Sequence, residues 1–173
     1  MTVPTVPTVP PVPAGRDDER FLRAALAQAR RAGDRGDLAV GAVAVVDGDV
    51  VAAGGNEVIT SGDPSAHAEV VVLRALEATG LPPGDAVLYT TFEPCPMCLG
   101  ACLVHGVGAV VVGGTRRAGD RAWGGYTPAG LAAQVADGGP RVEVREGPLA
   151  DECRELRAAS LPWADPARER KHA

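Results

Sequence analysis

His67, Cys95 and Cys98 combine one imidazole with two thiols, and Glu69 stands two positions beyond the histidine. Imidazole and thiolate are donors that tetrahedral zinc favours. Two thiolates cancel the charge of Zn2+, and three protein ligands leave a fourth position for water, the catalytic rather than the structural arrangement. Water held in this way ionises near neutral pH and becomes a nucleophile. A helical residue and its second neighbour point in different directions, so Glu69 is not a surface companion of His67. It reaches the water without ligating the metal and is the natural proton carrier.

Helix starts must bring these groups together. Asp63-Pro64-Ser65 precedes His67 and is a start signal for a helix over 66–78. Pro96 suits a first helical position, where its missing N–H costs nothing, so Cys95 and Cys98 straddle the start of a second helix, on one side of it and under the influence of its N-terminus. Before these, Phe21, Leu22, Ala25, Leu26 and Ala29 recur at helical spacing between Arg16 and Ala32. "LAVGAVAVV" and "VVAAGGNEV" flank an Asp-Gly turn and form a hairpin. Strands follow at 86–92 and 107–114, then a weaker helix near 128–136, a strand at "RVEVRE" and a last helix from about Leu149. Strands alternating with helices argue for an α/β fold with helices on both faces of a sheet, and the wholly apolar third and fourth strands for a central parallel pair.

At 173 residues the chain has room for one domain with a sizeable core. We expect a disordered Pro-rich tail over 1–15, where Thr-Val-Pro repeats, a folded domain over 16–160 and a C-terminal tail over 161–173. Aromatics make up only 3%, so small and β-branched side chains must build the core. The net charge of −5 disfavours long-range attraction to phosphate backbones. No apolar run reaches the length of a membrane span and no leader pattern is read, so a soluble cytoplasmic protein without a membrane partner is expected. Three of the four cysteines lie within eight residues, which favours metal or buried thiols over disulfides.

Plainer readings stand beside these. A structural zinc knot needs a fourth protein ligand, and Cys102, one turn beyond Cys98, is the convenient candidate, although Glu69 would then be buried at a cost without a partner. Otherwise Cys102 and Cys153 are small buried residues. His105 reads as a helix C-terminal cap and His172 as tail. Asn56 alone reads as a turn residue. Glu93 orients a ligand or a substrate amine, or forms a salt bridge. Phe92, Trp123 and Tyr126 stack on a planar base or pack their loops. Asp120 accepts from a ring N–H or exocyclic amine, or is a solvated turn acid.

The zinc set with Glu69 suits hydrolytic removal of an amine from a heterocycle, and H-x-E…P-C-x-x-C is a zinc-deaminase signature. With "AVGAVAVVDGDVVAAGGNEV", "DPSAHAE", "LYTTFEPCPMCLGA" and "RVEVREGPLADEC", the sequence resembles the cytidine deaminase superfamily, in its branch of guanine deaminases and tRNA adenosine deaminases. The resemblance implies a three-layer α/β/α sandwich around a five-stranded mixed sheet, and a homodimer. It implies zinc on His67, Cys95 and Cys98, Glu69 as general acid/base, and Asn56 hydrogen-bonded to the substrate ring. Ala68, between ligand and acid, is counted with the substrate-binding residues.

"NEVITSGDPSAHAE" and "EPCPMCLGA" look most like guanine deaminases, and "GPLADECREL" like tRNA adenosine deaminases. The tRNA enzymes typically continue with an aromatic and basic helix, whereas here "RAASLPWADPARERK" is broken by two prolines. That and the acidic total argue against nucleic acid as partner. Tyr126 falls near the place of an acid characteristic of the guanine branch, and Trp163 either stands in for its C-terminal aromatic or packs on the surface. The expected substrate is a small free amino-heterocycle: a guanine- or cytosine-like nucleobase or nucleoside, or an aminotriazine. The alternatives are tRNA adenosine and a non-catalytic zinc module.

Overall fold

The computed structural model describes residues 17–116 and 123–160. Both expected tails, Trp163 and Asp120 lie outside the described residues. The first helix, α1 (Asp18–Asp34), buries Phe21, Leu22, Ala25, Leu26, Ala29 and Ala32, the stripe that helical spacing selects. It runs through Gly33, the expected stop, and closes at Arg35.

Strands β1 (Gly41–Val46) and β2 (Asp49–Gly55) form the hairpin. Asp47 and Gly48 both take positive φ, at 52° and 84°, the two-residue turn that matches strand twist and that Asp-Gly favours. Next come the four-residue α2 (Val58–Ser61), which periodicity does not reveal, α3 (Ala68–Glu77) and β3 (Val87–Phe92). They are followed by α4 (Pro96–His105), β4 (Ala109–Gly114), α5 (Pro128–Val135), β5 (Glu143–Glu146) and α6 (Ala150–Ser160).

The five strands form one mixed sheet in the order β2-β1-β3-β4-β5. β1 is antiparallel to β2 and β3, while β3, β4 and β5 run parallel. The central parallel pair is wholly buried, as is β1 beside it, as continuous apolar runs require. Alternating side chains feed two cores. Ala42, Ala44, Leu88, Val110 and Val112 meet Val72, Leu76 and Leu99 of α3 and α4 on one face. Val43, Val45, Tyr89 and Val111 meet Phe21, Leu22 and Ala25 of α1 on the other, with Leu149 at the start of α6. The fold is thus a three-layer α/β/α sandwich. β5 is shorter than "RVEVRE", because an edge strand pairs only where β4 faces it. Cys102 and Cys153 are buried, and among the described residues no helix is long and apolar enough to cross a membrane.

His105 departs from expectation. It does not cap its own helix: Nε2 lies 3.1 Å from the Leu73 carbonyl oxygen of α3 and 3.7 Å from Glu77 Oε2, tying α4 to α3.

Candidate active site

Parallel strands deliver the following helices with their N-termini at one edge of the sheet, where ligand crevices of open α/β sheets form. His67 is the N-cap of α3 and Cys95 the N-cap of α4, with Pro96 at the first helical position and Cys98 in the first turn. His67 Nδ1 lies 3.7 Å from Cys95 Sγ and 3.5 Å from Cys98 Sγ, and the two sulfurs are 3.5 Å apart. Tetrahedral zinc, with Zn–S of about 2.3 Å and Zn–N of about 2.0 Å, sets its ligands about 3.8 Å apart (S···S) and about 3.5 Å apart (N···S). The donor set fits zinc. Among the described residues no fourth His, Cys, Asp or Glu joins this group, and Cys102 is not part of it.

The sulfurs are not equivalent. Their shared hydrogen bond lowers the Cys95 thiol and, with burial, pushes the Cys98 thiol up.

Glu69, 3% exposed, sits in the first turn of α3. Its Oε1 lies 2.9 Å from Thr90 Oγ1 of β3. Burial raises its pKa above the ordinary carboxylate range, opposed by hydrogen bonds from its own backbone and from Thr90. A carboxyl held in this way keeps and releases a proton in a dry place.

The imidazole, the Cys95 thiol and Glu69 open onto one pocket that Asn56, Ala68, Phe92, Glu93 and Trp123 also line. Asn56 is 5% exposed and bound on three sides. Its N–H donates to the Val40 carbonyl (2.9 Å), its carbonyl accepts from Arg35 (3.2 Å), and Oδ1 accepts from the Val58 N–H (3.1 Å). A backbone N–H is only a donor, so the amide atom facing Val58 is oxygen and the NH2 group is left to donate into the pocket.

Sequence reasoning missed Arg116 and Arg157, which also line the pocket. Arg116 pairs with Glu93 (Nη2–Oε1 2.9 Å), so the salt-bridge reading of Glu93 is the one observed. Arg157, from α6, lays its guanidinium 3.9 Å from the Phe92 ring centroid. Spacing carries no signal for either, since each reaches the pocket from an element distant in sequence. Trp123 stands at the mouth, 60% exposed. Tyr126 is not brought into the lining: its hydroxyl donates to the Pro94 carbonyl (2.9 Å) and its ring packs against the main core.

The family model for the cytidine and deoxycytidylate deaminase zinc-binding region matches residues 15–114. The chain is 38% identical over 152 residues to the chloroplastic tRNA(adenine(34)) deaminase of Arabidopsis thaliana, covering 79% of this chain and 12% of that protein. It is 55% identical over 65 residues to the guanine deaminase of Bacillus subtilis, covering 35% of this chain and 40% of that one. The chain thus spans less than half the length of either relative. A solved structure from a study of A-to-I editing by tRNA:A34 deaminases superposes with a TM-score of 0.69 at 33% identity, over 80% of this chain and 99% of that one. With half of the chain inside the family model and its three metal donors on one point, the chain belongs to the cytidine and deoxycytidylate deaminase zinc-binding family.

Proposed function

We propose that this chain is a zinc-dependent aminohydrolase that replaces the amine of a small free heterocycle, a guanine- or cytosine-like base or nucleoside or an aminotriazine, with oxygen and releases ammonia. The observation that carries this reading is the buried Glu69 carboxyl, opening onto the same pocket as His67 and Cys95 of the donor set that Cys98 completes. Zinc, when bound, supplies Lewis acidity that makes water a nucleophile near neutral pH. Glu69 takes a proton from the attacking water and passes it to a ring nitrogen. It then carries the second water proton to the amine, which leaves as ammonia as the carbonyl forms. Asn56 donates from its NH2 to a ring acceptor, and Phe92 and Trp123 flank the plane of the base.

A small substrate is supported by the charges around the pocket. Of the two arginines lining the pocket, Arg116 is paired with Glu93 and Arg157 is laid over the Phe92 ring. RNA binding depends on neutralising phosphates with cations, whereas a base needs none. The second reading, adenosine within tRNA, is favoured by the match to a tRNA deaminase over 79% of this chain. With such relatives, the expectation that nucleic acid is not a partner lacks support. Ammonia release from guanine, adenine, cytosine, their nucleosides, aminotriazines and an anticodon stem-loop separates the two. Turnover of a free compound with no stem-loop reaction supports the first reading, and turnover confined to the stem-loop replaces it with the second.

A further inference from the structure

We propose that Asp37 is a positioning residue for Asn56, acting through α2, an inference that rests on the substrate role given to Asn56 above. None of the four residues of α2 is buried, and Ile59 is 52% exposed, so no apolar anchor holds this turn. A single turn is also too short to hold itself together, and its first N–H groups have no partner within it.

Those groups are divided between two side chains. The Val58 N–H goes to Asn56 Oδ1 at 3.1 Å. The next two go to Asp37 Oδ1, Ile59 at 2.8 Å and Thr60 at 3.1 Å, while the Thr60 hydroxyl donates to Asp37 Oδ2 at 2.7 Å. Asp37 lies between α1 and β1, and its side chain is 0% exposed. Burying a carboxylate is costly unless donors surround it, and here all three hydrogen-bond donors come from α2, with the Arg35 guanidinium 3.7 Å away as a fourth partner. Arg35 also donates to the Asn56 carbonyl, closing a ring of contacts around that residue.

Asp37 therefore places α2, α2 places the Val58 N–H, and that N–H decides which way the Asn56 amide faces. With Asp37 removed, the Val58 N–H is no longer held and the amide is free to turn its oxygen into the pocket, where it repels the acceptor that the NH2 group is set to meet.

The test is a double-mutant cycle on the zinc-loaded full chain, using the best substrate of the panel above. Asp37→Ala should raise KM between about tenfold and a hundredfold, the scale on which small misplacement acts, with zinc content unchanged. Asp37→Asn, which keeps an acceptor for the two N–H groups, should recover most of the loss. In an Asn56→Ala background the same Asp37 substitutions should change kcat/KM little. An equal loss in both backgrounds, or an unchanged KM in folded Asp37→Ala, overturns the proposal. If Asp37→Ala does not fold, Thr60→Val, which removes one donor, carries the cycle under the same criteria. Should wild type turn over nothing in the panel, the proposed function fails by itself. The brace is then read by amide exchange at Ile59 and Thr60: faster exchange in Asp37→Ala (or in Thr60→Val, if Asp37→Ala does not fold) than in wild type supports it, and unchanged exchange overturns it.

Discussion

Thr90 Oγ1 lies 2.9 Å from Glu69 Oε1 and 3.1 Å from the Phe92 carbonyl oxygen. A hydroxyl has one proton to donate, so it serves the carboxylate when Glu69 is ionised and the carbonyl when Glu69 itself donates. Thr90 thus accommodates both protonation states of the acid in a buried site. Glu69→Gln keeps the volume but cannot carry protons, so zinc content should stay at wild-type level while kcat falls about 100- to 10,000-fold. Thr90→Val should lower kcat by roughly tenfold with KM little changed. Equal rates for Glu69→Gln and wild type would remove the assigned role.

Chelation separates a catalytic centre from a structural knot. The two apolar cores lie on the faces of the sheet and do not depend on the three ligands for their packing. Removing zinc should abolish ammonia release and leave the far-UV circular dichroism nearly intact, with activity returning on zinc addition. Collapse of the helical signal would favour the knot.

Asn56 separates donor from acceptor function. Asn56→Asp preserves an oxygen for the Val58 N–H but offers no NH2 group to the pocket. It should raise KM about as much as Asn56→Ala does, roughly tenfold or more. Kinetics on the best substrate, with melting temperatures as control, check this.

Gly41 marks the closest approach of α1 to β1. A Cβ there would lie 2.2 Å from the Ala25 carbonyl oxygen and 2.3 Å from the Ala29 nitrogen, both backbone atoms that cannot step aside. Gly41→Ala should cost about 3 kcal/mol or more, a fall in melting temperature on the order of 10 °C, read by calorimetry.

Tyr89 gives a pH signature remote from the metal. Its hydroxyl donates to Asp18 Oδ1 at 2.8 Å, and Asp18 is also paired with Arg145. Burial first, then the Asp18 hydrogen bond, raises the phenol pKa well above its ordinary value. The folded state therefore favours the neutral phenol, so this contribution is complete below about pH 10 and declines as pH rises beyond it. Urea titrations between pH 8 and 11 should show stability falling above pH 10. Tyr89→Phe should be less stable by about 1 kcal/mol at pH 8, with a shallower alkaline decline.

The sequence alone determined the donor set, because zinc dictates residue types and helix starts dictate spacing: His67, Cys95 and Cys98 were legible from caps, Pro96 and a three-residue interval. It also determined the Asp-Gly hairpin and the buried central strands, whose periods are local properties of the chain. Only the tertiary structure decided that Thr90 meets Glu69, that Arg116 neutralises Glu93, that Arg157 covers Phe92 and that Asp37 braces α2. These partners are 21 to 65 residues apart, and strand order together with helix packing, rather than any local pattern, brings them into contact. Tyr126 shows the same limit in reverse: a loop aromatic suited to a base is spent on the Pro94 carbonyl, because the fold folds it inward there.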